Sequence, residues 1–295
     1  MNDPRRAEPT TRKPPRVRDR TAPPVTVLLA IAFVALVIGA ALLAPTIAPH
    51  SPTAGQLRDS MLPPSWIDGG SMQYILGTDL FGRDQLSRLL VGARVSLSVA
   101  TIVVVAGGIV GATLGMIAGY KGGFIDAFLM RLVDIAMAFP VILIAIVLAV
   151  VTGPSYSNTI TIIALLIWPR VARQIRGDTL VIARTDYVVY AAASGVSTPR
   201  IILRHVLPNV APTLLVVLTL EIGLVILLEA SLSFLGAGIP PPNPSWGLMV
   251  SDGRGQVATG WWISLFPGVA ILLTVMSFNL IGDWLRDTFD PKRRR

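Results

Sequence analysis

Ionisable side chains are scarce in this 295-residue sequence, 14% against 53% hydrophobic, so those set inside apolar runs carry most of its chemical information. Glu221 lies roughly 16 Å along the run from Val210 to Leu235, near its middle, at a rise of about 1.5 Å per residue. A carboxylate at that depth calls for a water-filled cavity, a partner or a structural hydrogen bond, and the sequence leaves a solute path and a structural role both open. Cysteine is absent, which removes disulfides and thiolate ligands. His50 and His205 are the only histidines, and the order of spans below puts them on opposite sides of a membrane, so neither a histidine-paired nucleophile nor a histidine metal cluster is expected. None of Lys13, Lys121 and Lys292 follows a glycine, so the usual phosphate-cradling loop is missing from this chain. Asp134 and Glu221 stand in apolar contexts without a catalytic signature, which speaks against an intramembrane acidic protease.

A second stretch, Asp186 to Pro208 (DYVVYAAASGVSTPRIILRHVLP), offers shape rather than reactivity. Asp186 suits the N-cap of a short helix that continues through Val188 to Ser194 with three consecutive alanines. Gly195 supplies a residue able to take positive φ and ends it. Ser197 and Thr198 then precede Pro199, which suits the first position of a second helix, and Pro208 is expected to stop that helix because its ring cannot continue the hydrogen-bond ladder. The expected product is a helix, a glycine elbow and a helix, polar enough for water and held at a membrane surface by apolar runs on either side. An alanine-faced knob of this kind can sit close against another protein.

The elements that must position these groups are apolar helices. Mean hydropathy is +0.66, which places the chain among integral membrane proteins. Twenty of the 25 Lys and Arg fall in four segments, 1–24, 121–131, 170–204 and 286–295. If those segments are cytoplasmic, the net charge of +8 is the positive-inside bias of a polytopic protein rather than a nucleic-acid footprint. Residues 1–24 read as a disordered basic cytoplasmic tail, and 25–44 as an uncleaved first transmembrane helix, since twenty residues cross a hydrocarbon core of roughly 30 Å. The interval 45–93 lies outside the cytoplasm, with a proline-rich irregular first half. Its second half, Asp79 to Val91, reads as an amphipathic surface helix in which Asp84 and Arg88 form an i,i+4 pair.

Residues 94–285 read as a core of five further spans. Val95 to Gly119 carries Gly107, Gly111, Gly115 and Gly119, a spacing that lets two backbones approach, in this chain or across a dimer seam. Phe124 to Val151 returns across the membrane with an Arg131–Asp134 pair and a kink at Pro140. The fourth helix runs from Thr159 through Pro169, and Arg170, Arg173 and Arg176 either snorkel to the interface or meet a partner. Val210 to Leu235 and Ile263 to Ile281 complete six spans, with both ends inside and a basic cytoplasmic tail at 286–295. Trp246, Trp261 and Trp262 suit an aromatic belt at the outer interface.

Ala191, Ala192, Gly195 and Leu207-Pro208 together resemble the EAA loop of type I ABC importer permeases, with Val189 at the glutamate position, Tyr190 at the first alanine and His205 at the isoleucine before Leu-Pro. The run from Arg204 to Asn209 is similar to the variant in the dipeptide and oligopeptide branch. Leu76 to Asp79 with Gly82, Arg83, Asp84, Ser87 and Arg88, the run Glu229 to Gly236, and Pro240 to Gly247 resemble further signatures of that branch, as do Trp261-Trp262, Phe266 to Gly268 and Phe278 to Asp283. The resemblance covers about residues 25–291. It implies an all-α polytopic permease fold in which Asp186, Tyr187, Tyr190, Ala191, Ala192, Gly195, Arg204, His205, Leu207 and Pro208 form the ATPase-coupling loop. It places Asp79, Arg83 and Asp84 in an extracytoplasmic scoop beside the entrance, and makes Glu221 and Glu229 candidates for the translocation path. The partners it implies are a homologous second permease, two cytoplasmic ABC ATPases that carry ATP and Mg, and an extracytoplasmic solute-binding protein. The chain itself is expected to be non-catalytic and cofactor-free, in a bacterial inner membrane. Relatives with this pattern import dipeptides, oligopeptides, nickel complexes or other solutes. The rival from another class is an ion-coupled secondary transporter, which would use Glu221 but gives no reason for the capped elbow.

Overall fold

A computed structural model describes residues 23–289; the expected tail at 1–24 lies almost wholly outside them, as does most of the tail at 286–295. Long uncharged runs form the helices that their length and hydropathy predict. The first, α1 (Val25–Ile47), reaches three residues beyond the expected end, with Pro45 inside it. It is followed by α2 (Gln85–Lys121), α3 (Gly123–Met137), α4 (Val141–Thr152) and α5 (Tyr156–Ile182). The short α6 (Asp186–Ala193) and α7 (Thr198–Ile201) precede α8 (Leu207–Phe234), α9 (Trp246–Gly253) and α10 (Trp262–Phe289). Among the described residues there is no strand, and the one isolated bridge joins Thr78 to Asp84. Four stretches are long and apolar enough to cross a membrane, Val25–Ile47, Gln85–Lys121, Thr198–Phe234 and Trp262–Phe289, and the bent pair α3 and α4 makes a fifth if counted as one.

The glycine series is an internal seam. A Cβ at Gly111 would stand 2.6 Å from Trp168 O, at Gly115 2.5 Å from Ala172 O and at Gly119 2.7 Å from Thr179 Cβ, while Gly107 faces Ile167. The two parallel helices α2 and α5 therefore meet backbone to backbone, and α8 runs antiparallel beside them with Leu218 against Gly108. Two apolar clusters stack along this axis. One joins Val99, Val103, Ile163, Val225 and Leu232, and the other joins Met116, Val171, Ile175, Val206 and Val210.

Several expectations change. The surface helix over Asp79–Val91 is absent: residues 79–84 form a tight turn, and α2 begins at Gln85 and runs 37 residues without a break. Asp84 caps it by accepting from the Ser87 amide at 2.9 Å and hydroxyl at 2.6 Å, so its carboxylate does not pair with Arg88, which turns elsewhere. Asp134 pairs with Arg173 rather than Arg131, at 2.6 Å, and Asp126 takes Arg176 through Nε at 2.5 Å and Nη2 at 2.6 Å. Interhelical partners on α5 win because α3 packs along it, and these pairs use two of the three arginines expected to snorkel. Pro140 does more than kink its helix; α3 and α4 meet at 82°. Trp246 and Trp262 are buried, donating their indole N–H to Leu89 O and Thr78 O at 3.0 Å each, so they fasten the protein interior instead of facing a lipid interface.

Candidate functional site

The elbow follows the end of α5. Thr185, not Asp186, occupies the N-cap position of α6, its hydroxyl returning to Ile182 O, and Asp186 is the acidic residue of the first turn. Gly195 ends α6 at φ +79°, with its amide donating to Ala192 O and the Val196 amide to Ala191 O. That double closure satisfies the last carbonyls and needs a left-handed residue at 195. Thr198 opens α7 with Ser197 at the N-cap position, and Pro199 stands in the first turn, one place later than expected. Pro208 does not stop the chain: the turn Ile202–Val206 widens to π geometry, Pro208 falls in the first turn of α8, and the Asn209 side chain donates through Nδ2 to His205 O at 2.6 Å. A widened turn accommodates the proline because the ring then has no tight backbone ladder to interrupt.

The elbow has two faces. Val188, Ile201 and Val206 are buried against Ala112 and Met116 of α2 and Val171 and Ile175 of α5. On the other face Tyr187, Val189, Leu203 and, at 70% exposure, Tyr190 stand free, with Ala192, Arg200 and Arg204 exposed beside them. His205 packs its ring 6.2 Å from that of Tyr187. Ala191 and Leu207 are half-buried and Pro208 is exposed. Exposed aromatic and basic side chains on a buried underside are a combination that a protein contact can use.

The opposite end of the bundle holds a lattice of charge. Asp79 is buried and accepts from the Phe81 and Arg83 amides at 2.8 and 3.0 Å and from Arg83 Nε at 2.6 Å. Arg88, only 1% exposed, lies 3.4 Å from Asp79 and 3.0 Å from Asp252, donating also to Pro52 O at 3.3 Å. Arg83 reaches Asp252 at 3.2 Å. Two aspartates and two arginines thus tie the loop before α2, the first turn of α2, and α9. Burial pushes the Asp252 carboxyl above the usual range, against the pull of Arg88 and Arg83. Asp84 sits beside this lattice, with His50 Nδ1 3.6 Å away.

Within α8 the two glutamates differ. Glu229 is fully buried and accepts from Ser233 at 2.7 Å and Ser96 at 3.2 Å, while Ser96 also accepts from the Trp246 amide. Glu221 is 8% exposed and its Oε2 has no hydrogen-bond partner among the described residues. The structure therefore brings Asp79, Arg83 and Asp84 together at one end, sets the elbow residues at the other, and leaves Glu221 between them with Oε2 unbonded and the charge of Arg170 acting on it from α5.

The profile of the family described as binding-protein-dependent transport system inner membrane component matches residues 111–295. The chain belongs to that family. This inner membrane component is 44% identical to a putative peptide transport system permease protein of Brucella suis, over 90% of this chain and 87% of that one. It is 41% identical to the di/tripeptide transport system permease protein DppC of Pseudomonas aeruginosa over 88% of this chain and 86% of that one. It is 39% identical to the dipeptide transport system permease protein DppC of Haemophilus influenzae, over 91% of each. A solved structure titled as an inward-facing conformation of the MetNI methionine ABC transporter shares the fold, with a TM-score of 0.58 at 18% identity, covering 70% of this chain and 98% of that one.

Sequence reading missed two parts of the charged end. Asp252 is 164 residues from Arg88 and 169 from Arg83, so no local spacing could link them. Ser96 and Ser233, which hold Glu229, are small hydroxyls in apolar runs; the residue four before Ser233 being a glutamate was the one local signal.

Proposed function

We propose that this inner membrane component is one of two homologous permease subunits of an ATP-driven importer of dipeptides or oligopeptides. In this reading it has six spans, with α3 and α4 as one broken span and α5 as another, and both termini in the cytoplasm. Two cytoplasmic ABC ATPases bind ATP and Mg, and an extracytoplasmic binding protein delivers the solute at the end carrying Asp79, Arg83 and Asp84. The observation that carries the reading is the two-faced elbow, whose underside is fixed on α2 and α5 while Tyr187, Val189, Tyr190 and Leu203 stand exposed. A push on that face is delivered directly to the helices of the glycine seam, which is how nucleotide-driven closure would be converted into a change of access. The permease relatives named for peptide transport supply the substrate class.

Gly195→Val tests the coupling. No atom lies within 4 Å of the position a Cβ would take, so the change acts through the φ of +79°, which a β-branched residue resists by roughly 1–2 kcal/mol. Membrane insertion is expected to stay intact while binding-protein-stimulated ATP hydrolysis in the reconstituted complex falls by at least about tenfold, about 1.4 kcal/mol in coupling. Retention of full stimulation would remove the assigned role. An ion-coupled transporter is favoured by Glu221 alone, and it leaves the exposed elbow face without a purpose.

A further inference from the structure

Buried polar atoms without partners are few, and three of the four in the described residues, His50 Nδ1, Gln85 Oε1 and Thr274 Oγ1, belong to neutral or weakly charged side chains. The fourth is a carboxylate oxygen of Glu221. Elsewhere the buried acids are held: Glu229 by Ser96 and Ser233, Asp79 by Arg83 and Arg88, and Asp84 by Ser87. Glu221 has no such holder: the one cation acting on it, Arg170 of α5, does so through space, and Oε2 accepts no hydrogen bond among the described residues. It lies near the midpoint of α8, between the two apolar clusters, with Leu214 and Val217 in one cluster, Ile222 and Val225 in the other, and Leu218 shared by both.

An ionised carboxylate in that setting is costly by several kcal/mol unless a cation reaches it. A leucine there would have continued the apolar seam at no such cost. No group of three or more metal-ligating side chains exists among the described residues, and one carboxylate does not make a coordination sphere for a hard cation. A primary ammonium needs no sphere of fixed protein ligands, since one carboxylate and water satisfy its three donors.

We infer that Glu221 receives the α-ammonium of the peptide during passage, the unpaired carboxylate being a counter-charge that the solute completes. This rests on the peptide-importer reading above. In the empty state the carboxylate binds water or a proton, and an arriving ammonium replaces it, so the site discriminates free from blocked amino termini. Such discrimination inside the membrane is separate from whatever selection the binding protein makes.

The test measures equilibrium binding of alanyl-alanine and N-acetyl-alanyl-alanine to the reconstituted complex, in wild type, Glu221→Gln and Glu221→Asp, with uptake of alanyl-alanine followed in parallel. Wild type is expected to bind the free dipeptide at least about tenfold more tightly than the acetylated one. That preference should vanish in Glu221→Gln and survive within about threefold in Glu221→Asp. Equal affinity for the two peptides in wild type, or an undiminished preference in Glu221→Gln, overturns the inference while leaving the importer in place. Failure of wild type to take up alanyl-alanine at all would instead remove the peptide reading and the inference with it.

Discussion

At the residue scale, the pairing of buried charge decides what each site can do. Asp252 is held by Arg83 and Arg88, yet burial outweighs them and raises its pKa in the folded protein. A raised folded value means that folding favours the protonated form. Its contribution to stability is then fully present below the ordinary carboxylate value of about 4 and is lost as pH rises through the raised value. The difference in thermal midpoint between wild type and Asp252→Asn should therefore move against wild type between about pH 4 and pH 7. Movement in its favour would mean that the arginines, not burial, dominate. Glu221 was legible in the sequence because a carboxylate stood near the middle of a long apolar run. The lattice around Asp252 was not, because its members come from opposite ends of the chain and only folding brings them within hydrogen-bond distance.

At the element scale, the glycine repeat in α2 was readable as a close-packing face, and the contacts of Gly111 and Gly115 with the α5 backbone answer the question of what it packs against. Gly111→Leu should reduce the yield of folded protein in detergent severely, since overpacking costs typically 1–3 kcal/mol even where only side chains must give, and here the obstacle is backbone. Gly39→Leu on α1 is the control: nothing lies within 4 Å of its Cβ position, so folded yield and thermal midpoint should match wild type. Equal loss in both would deny the seam. Two element boundaries escaped the sequence for related reasons. The apolar face and the Asp84–Arg88 spacing over Asp79–Val91 suggested a separate surface helix, but Asp84, Gln85 and Arg88 find partners within the protein and α2 starts at Gln85 and runs on. Pro208 suggested a stop, and the π turn before it carried the helix on. In both cases a local rule was overridden by hydrogen bonds that a linear pattern does not contain.

At the scale of the whole molecule, the chain is a bundle with two unlike ends. One is stitched shut by a neutral lattice of buried charge and by two buried tryptophans; the other presents exposed tyrosines and arginines on a seated elbow. Between them runs the α2–α5–α8 core, with Glu221 Oε2 unbonded at the junction of its clusters. The central claim is that the elbow is a cytoplasmic contact for an ATPase. Tyr190→Cys tests it most directly: placed on the exposed face, the thiol should cross-link to the ATPase subunit in native membranes, more strongly or more weakly when nucleotide is bound, and should be shielded from membrane-impermeant maleimide applied outside. Labelling from the outside, or no ATPase adduct with or without nucleotide, would contradict the account.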